Sequence, residues 1–143
     1  MQRDIRHTWF LPNSPEDVWE SLTTPELLAQ WLMETDFQPV VGHQFTFNTK
    51  PKIKLGFDGM IYYEVLEIIP LKKLVYSWKG GPGNGKITLD SIVTWTLTPA
   101  SNGTTLQLVH SGFNGMKNYI SYLIMNKGWN KIVKRLIHAR QVS

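Results

Sequence analysis

The sequence predicts an α+β fold in which a curved antiparallel sheet of about six to seven strands wraps around one long C-terminal helix. From Gly115 to Arg140, apolar residues recur at steps of three and four, which places them on one face of a helix. From Arg3 to His110, apolar and polar residues mostly alternate, as is typical of strands. Consecutive strands joined by short turns must be antiparallel. The residues of the helical stripe are Tyr122, Met125, Trp129, Ile132, Val133 and Leu136.

A strand and two short helices are predicted at the start of the chain. Residues Arg3–Leu11 alternate and form the first strand, which Pro12 ends. Ser14 is typical of a helix N-cap, because a proline follows it in the first helical position. The segment Thr24-Pro25-Glu26 repeats this start signal, so we expect a second short helix directly after the first.

The remaining strands are predicted where alternating segments are separated by Pro, Gly and Asn. In the last of them, Leu106, Leu108 and His110 share a face, so we expect the imidazole to point inward. Glu67 shares a face with Tyr63 in the same way, and a buried polar group at either position would need a hydrogen-bond partner. The predicted strands are Asp36–Val41, Gln44–Lys50, Met60–Ile69, Leu74–Lys79, Ile87–Thr98 and Thr104–Ser111.

The composition is that of one folded domain, which we expect to cover residues 1–143. The hydrophobic fraction of 42% and the charged fraction of 18% exclude a disordered chain. The aromatic fraction is 12%, with six Trp, and it has two explanations: a cavity with aromatic walls, or a large aromatic core. There is no cysteine, which excludes disulfides and thiolate chemistry.

The sequence shows no segment that would direct it to a membrane or across one. Residues Met1–His7 are charged and lack the apolar segment of a signal peptide. No apolar run approaches the ~20 residues that a membrane-spanning helix needs. We therefore expect a soluble cytoplasmic protein without a membrane span.

Positive charge is concentrated at the C-terminal end. The net charge is +4, yet the chain after Asn114 contains six Lys or Arg residues and no acid. A basic helix face can meet nucleic acid, anionic lipid or an acidic partner, or it can simply be a solvated face. Because no exposed aromatic residues are interleaved, we expect no nucleic-acid partner, while a protein partner stays open. The six basic residues are Lys117, Lys127, Lys131, Lys134, Arg135 and Arg140.

Two motifs that suggest chemistry are better explained by structure. Residues Gly80–Lys86 match G-x-x-x-x-G-K, but Ile87 replaces the Ser or Thr of a phosphate loop and a strand pattern follows, so we predict a hairpin loop. His110-Ser111 suggests a hydrolase, but neither a nucleophile elbow nor a triad order accompanies it. None of the four His has a ligand partner at metal spacing, so we expect no metal and no cofactor.

Several segments, taken together, match one known family. They are Pro12–Trp19 with Leu22-Thr23, Leu27–Trp31, Gly42–Phe47, Glu64–Pro70, Leu74–Trp78, Gly103–Leu106, His110–Phe113, and Gly128-Trp129 before Leu136. Through these segments the chain resembles the START-like, helix-grip superfamily, also called SRPBCC, over nearly its whole length. Within it, the closest likeness is to proteins similar to the C-terminal domain of the activator of the ninety-kilodalton heat-shock protein ATPase.

The resemblance implies an antiparallel sheet that grips the C-terminal helix, with a cavity between them. Family members bind hydrophobic small molecules, and some relatives act as cyclases or aromatases on polyketides. Co-chaperone activity belongs to larger relatives that carry an additional N-terminal domain. The family has no catalytic signature that can be transferred to residues of this chain.

The predicted function is therefore to bind a small hydrophobic or aromatic ligand between sheet and helix, with no catalytic residue assigned. His110 is the polar candidate in the cavity wall. Two alternatives remain: a cyclase- or aromatase-type enzyme that uses the same cavity, and a co-chaperone-like protein-interaction module that uses the basic helix face. The candidate ligand-binding residues are Trp31, Phe47, Tyr63, Trp78, Trp95, His110, Phe113, Met125 and Trp129.

Overall fold

A computed structural model describes residues 2–31, 37–48, 60–80, 89–114 and 126–138 of the chain. Six strands and three helices lie in these ranges, and residues 126–138 are helical throughout. In chain order, the elements are β1 (Gln2–Leu11), α1 (Pro15–Thr23), α2 (Pro25–Trp31), β2 (Gln44–Asn48), β3 (Met60–Ile69), β4 (Lys73–Gly80), β5 (Leu89–Ala100), β6 (Gly103–Asn114) and α3 (residues 126–138).

The strands form a single sheet in the order β1-β6-β5-β4-β3-β2. Every neighbouring pair is antiparallel, as the short turns between consecutive strands require. The one pairing between strands distant in sequence joins β1 to β6, with Leu11 opposite Thr104 and Gln2 opposite Asn114. The predicted α+β class and antiparallel sheet are therefore confirmed.

The two ends of the sheet differ in how the chain connects its strands. At one end, tight turns join β3 to β4 and β5 to β6, where Leu71 and Asn102 adopt positive φ angles of 65° and 68°. We call this the Gly103 end. At the opposite end, β2, β4 and β6 finish and β3 and β5 begin, and the following chain segments lie outside the described residues. We call it the Gly80 end.

Both short helices begin where the sequence predicts. The Oγ atom of Ser14 accepts a hydrogen bond of 3.2 Å from the backbone N–H of Asp17, which confirms the N-cap of α1. Pro25 opens α2 in the same way that Pro15 opens α1. The faces that turn inward carry the buried residues Val18, Leu22, Leu28 and Trp31.

Helix α3 packs its apolar face on the sheet and exposes its basic face, as the sequence predicts for this part of the helix. Trp129, Val133 and Leu136 are fully buried, whereas Lys131 and Lys134 are exposed. The first half of the predicted helix, with Tyr122 and Met125, lies outside the described residues. The total length of the helix therefore stays a prediction.

The predicted strand Asp36–Val41 is wrong over the described residues 37–41, which form a bend and a turn. Pro39 has no N–H for a ladder, and Gly42 adopts a positive φ of 89°, so the backbone cannot continue as a regular strand. The segment still contacts the sheet, because the N–H of Gly42 donates to the carbonyl of Val65 at 2.8 Å. Phe37 anchors it in the core with only 2% of its surface exposed.

A β-bulge in β3 reverses the predicted orientation of its last residues. The pairing with β4 shifts register between Val65 and Glu67, so the alternation of faces slips by one residue. Ile68 consequently packs against the core and Ile69 is exposed. Glu67 is also exposed and pairs with Lys73 at 3.1 Å, so its carboxylate is not buried.

Truncating Trp129 to alanine should destabilise the fold strongly, because the indole is fully buried between α3 and the sheet. We expect Trp129→Ala to lower the free energy of unfolding by about 3–5 kcal/mol. Lys131→Ala, on the exposed face of the same helix, should change it by no more than about 0.5 kcal/mol. Urea unfolding followed by far-UV circular dichroism measures both. Equal losses would mean that the helix is docked by another face.

Candidate functional site

Seven rings pack together between the inner face of the sheet and the helices. Trp129 of α3 lies at the centre, with its ring centroid 5.1 Å from that of Trp78, 5.4 Å from that of Trp95 and 5.9 Å from that of His110. Most of the rings meet edge to face, which is the geometry that the aromatic quadrupole favours. We call this group the aromatic cluster. Its members are Trp31, Tyr63, Tyr76, Trp78, Trp95, His110 and Trp129.

Tyr63 extends the cluster toward the edge strand β2. Its ring centroid lies 4.7 Å from that of Trp78 and 5.2 Å from that of Tyr76, both in T-shaped contacts. At the other side of the cluster, Trp31 of α2 meets Trp95 edge-on at 6.0 Å. The cluster thus spans the inner face from β3 to the short helices.

A directed chain of hydrogen bonds runs through the cluster and fixes the protonation state of His110. The indole N–H of Trp129 donates to Nδ1 of His110 at 3.0 Å, so Nδ1 carries no proton. The proton of a neutral imidazole therefore sits on Nε2, which donates to the Oγ atom of Ser91 at 2.8 Å. The Ser91 hydroxyl then donates to the backbone carbonyl of Trp78 at 2.7 Å. Every donor in this chain has an acceptor.

The surroundings of His110 hold it neutral. Burial away from water lowers the pKa of its imidazole from 6.5 to about 3. At neutral pH the ring carries no charge, and both nitrogens already have partners within the protein. To act as a ligand handle or as a proton shuttle, His110 would first have to exchange one of these bonds.

The indole N–H groups of Trp95 and Trp31 also find acceptors inside the protein. The indole N–H of Trp95 donates to the hydroxyl of Tyr76 at 2.9 Å, and that of Trp31 donates to the carbonyl of Ser21 at 2.9 Å. Burial raises the pKa of Tyr76, opposed by the hydrogen bond from Trp95. Burial, with a smaller contribution from Tyr76, also raises the pKa of Tyr63. Both phenols therefore stay neutral at physiological pH.

The inner face of the sheet changes character from one end to the other. At the Gly80 end, its buried positions are Tyr63, Trp78, Ser91 and His110, which are aromatic or polar. Toward the Gly103 end, the buried positions are mostly aliphatic, although Thr104 lies opposite Leu11 and Trp95 lies opposite Leu74. The aliphatic residues among them are Leu11, Leu74, Leu97 and Leu106.

The structure brings together six of the nine residues that the sequence predicts for the site. Trp31, Tyr63, Trp78, Trp95, His110 and Trp129 all belong to the aromatic cluster. The side chains of Phe47 and Phe113, and the whole of Met125, lie outside the described residues, so their part in the site stays a prediction.

Sequence reasoning missed Tyr76 and Ser91. Each has a detectable signal, because Tyr76 alternates with Trp78 on β4 and Ser91 alternates with Val93 and Trp95 on β5. A serine among apolar residues on an inward face indicates a buried hydrogen bond. Only the pairing of strands shows that its partner is His110.

Gly112 was also missed, and it shapes the strand beside His110. Two residues of β6, Ser111 and Gly112, lie opposite the single residue Asp4 of β1, which is a β-bulge. Gly112 adopts a φ of 106°, and a Cβ atom there would lie 2.9 Å from the Cα atom of Ser91. A glycine is thus needed both for the backbone angle and for the space next to Ser91.

Within the described residues, no group of three or more His, Asp or Glu side chains could hold a metal ion. In the same part of the chain, no helix is long and apolar enough to span a membrane.

Comparison with known families gives a match over residues 12–139 to the activator of Hsp90 ATPase homolog 1-like proteins. The chain belongs to this family. The match confirms the resemblance noted in the sequence, and the helix packed on an antiparallel sheet is consistent with the helix-grip arrangement.

Solved structures of similar proteins share this fold. MLL2253 from Mesorhizobium loti is 32% identical, with a TM-score of 0.87 over 99% of this chain and 98% of that one. BH1534 from Bacillus halodurans is 27% identical, with a TM-score of 0.75 over 96% and 98%. DynU16, a protein in the dynemicin biosynthetic locus, is 25% identical, with a TM-score of 0.76 over 96% of this chain and 47% of that one. A search of curated proteins finds no match.

The pKa of His110 predicts a specific loss of stability in acid. The unfolded imidazole binds a proton below its ordinary pKa of 6.5, whereas the folded one stays neutral down to about pH 3. The unfolded state therefore binds more protons in this window, and the free energy of unfolding falls as the pH falls. Between pH 7 and pH 5, His110 should account for a loss of roughly 2 kcal/mol, measurable by urea unfolding at each pH.

His110→Gln is the control for this acid effect, because its amide supplies one acceptor and one donor but does not titrate. All other titrating groups are common to the two proteins, so the difference between their pH profiles isolates the imidazole. The variant should lose less stability between pH 7 and pH 5 than the native protein. Parallel profiles would contradict a neutral, buried His110.

Replacing Gly112 with alanine should disturb the contact with Ser91, and Gly42 offers a matched control. Both glycines have positive φ angles, but a Cβ atom at Gly42 would meet nothing within 4 Å. Gly42→Ala should therefore cost only the backbone strain of about 1–2 kcal/mol. Gly112→Ala should cost about 1–3 kcal/mol more, from overpacking against β5. Thermal unfolding of the two variants tests this, and equal costs would exclude a steric role for Gly112.

Proposed function

We propose that this protein binds a small hydrophobic or aromatic molecule against the inner face of the sheet, at the Gly80 end. The observation that carries the proposal is the change in character along that face, from leucines at the Gly103 end to aromatic rings at the Gly80 end. A core that served stability alone has no need to place the rings of Tyr63 and Trp78 together at that end. Small-molecule sites are typically concave, apolar and aromatic, with a few fixed polar groups.

Tyr63 and Trp78 are the residues that we assign to direct ligand contact. Tyr63, Trp78 and Tyr76 are 3–4% exposed, whereas Trp95, Trp129 and His110 are completely buried. Of the first three, Tyr63 and Trp78 lie nearest the Gly80 end. Their rings are nearly perpendicular to each other, so a flat aromatic ligand that stacks on one ring would meet the other edge-on. Trp129 packs against Trp78, and Trp95 packs against Trp129.

The electrostatics favour an uncharged ligand. The imidazole and both phenols of the cluster are neutral at physiological pH, and the indole N–H groups donate within the protein. A carboxylate or ammonium group buried among these rings would lose its hydration without gaining an opposite charge from them. Binding would therefore come mainly from apolar area and ring contacts.

The likeness to DynU16 supports a role in small-molecule chemistry, because that protein is in a biosynthetic locus. We favour binding over conversion of the ligand, since both nitrogens of His110 are already bonded to Ser91 and Trp129. A cyclase- or aromatase-type enzyme would need a positioned group that is free to exchange a proton. The proposal treats residues 1–143 as one domain, with the sheet curved around a long C-terminal helix.

Nile red, an uncharged polycyclic dye, tests the proposal by fluorescence titration. We expect saturable binding to the native protein, with energy transfer from tryptophan. Trp78→Phe keeps an apolar ring but reduces the ring area next to Tyr63, and should weaken binding by about fivefold, corresponding to about 1 kcal/mol of aromatic contact.

The matched control is Trp19→Phe, which shortens a partly buried tryptophan on α1, outside the aromatic cluster. It should change dye affinity by less than about twofold, because it alters no proposed contact. An equal effect of both variants, or no saturable binding by the native protein, would refute the assignment of Tyr63 and Trp78. Mass spectrometry of the native protein can then search for the natural ligand.

A further inference from the structure

We propose that the exposed face of α3 docks reversibly on anionic lipid surfaces by charge alone. The residues that form this face, which we call the basic stripe, are Lys127, Lys131, Lys134, Arg135 and His138. All five are exposed. The proposal concerns a surface on the opposite side of the helix from Trp129, and it does not depend on the ligand proposed above.

The spacing of the basic stripe places its cations on one line. Successive residues of an α-helix are rotated by about 100°, so these five positions fall within an arc of about 100°. The stripe extends over about three turns, or roughly 16 Å. Because the apolar face of α3 is buried against the sheet, the cations are held on a rigid support and point away from it.

In the part of the chain that the structure describes, the charge of the stripe is not balanced by ion pairs. Its four Lys and Arg residues equal the whole net charge of +4, so all other charges in the chain cancel. The ion pairs found among the described residues are Arg6–Asp4, Lys73–Glu67 and Lys79–Asp90, and none includes the stripe. Residues 126–138 contain no acid. Within the described residues, no acid therefore pairs with the stripe, which leaves it available to an anionic partner.

The stripe also destabilises its own helix. Lys127 and Lys131 are four residues apart, as are Lys131 and Arg135, and like charges at this spacing disfavour a helix. A helix face that served only for solubility would have acids interspersed among its cations. The sequence instead keeps the cations together, which favours a binding surface over a merely solvated face.

The composition of the stripe favours a lipid surface as its partner. Specific protein interfaces use aromatic and apolar anchors at their centre, and the stripe has none. Single-stranded nucleic acid is bound by stacking on exposed aromatic rings, which are also absent from it. A fluid anionic membrane needs neither anchors nor a fixed geometry, and lysines near its surface gain energy from its potential. Without inserted apolar residues, the docking is reversible.

The test is co-sedimentation with vesicles of phosphatidylglycerol and phosphatidylcholine, against vesicles of phosphatidylcholine alone. We expect binding only to the anionic vesicles, and weaker binding as salt is raised. Each removed cation should weaken it by about fivefold, so the triple change Lys127→Gln, Lys131→Gln and Lys134→Gln should weaken it on the order of a hundredfold.

A second triple variant removes the same charge from another surface. Lys72→Gln, Lys73→Gln and Lys79→Gln change positions in the β3–β4 turn and on β4, far from the stripe in the sequence. This control should alter vesicle binding by less than about tenfold, since only the long-range charge changes. Equal losses in the two triple variants would show that net charge, not the stripe, is responsible, and would overturn the proposal.

Two further outcomes would overturn the lipid assignment. Failure of the native protein to sediment with anionic vesicles at low salt would exclude docking. Tighter binding to a DNA duplex or to polyglutamate than to vesicles, at the same salt, would assign the stripe to nucleic acid or to an acidic protein. Circular dichroism of each variant verifies that the helix is retained, as expected for changes at exposed positions.

Discussion

The neutral imidazole of His110 is the point at which helix α3 and the middle of the sheet are joined. A neutral imidazole offers one acceptor and one donor on a rigid ring, and the structure uses the first for Trp129 and the second for Ser91. Ser91 continues to the carbonyl of Trp78, so one residue links β4, β5, β6 and α3. A charged ring could not accept from Trp129. The docking of the helix therefore depends on keeping water, and with it the proton, away from this ring.

This arrangement also limits what the interior can do. The polar atoms of Trp31, Trp95, Trp129 and His110 bond to one another or to neighbouring groups of the chain, so they serve the fold before any ligand. What remains for recognition is ring surface at the outer members of the cluster. The positive charge of the protein lies on the other side of α3, behind a layer of apolar side chains. The two proposed activities thus lie on opposite sides of α3.

Sequence periodicity was reliable wherever the structure depends on local geometry. It placed His110 inward with Leu106 and Leu108, and it separated the buried and exposed faces of α3. It failed at Glu67, where a bulge shifts the register, because a bulge is fixed by the neighbouring strand. The partners of His110 lie on β5 and α3, so its role required strand pairing and helix docking, which no local pattern contains. The family, in contrast, was predictable from short segments spread along the chain.

Because β1 pairs with β6, the first strand of the chain has to wait for the last strand during synthesis. Strands β3, β4, β5 and β6 each pair with a neighbour in sequence, so they can assemble as successive hairpins while the chain leaves the ribosome. Strand β1 emerges first but has no partner until β6 has been made. Closing so long a loop costs entropy before its contacts form, which makes this a late step. Through most of translation, the nascent chain therefore carries β1 as an unpaired strand with one apolar face. Such a strand can pair with other chains and aggregate.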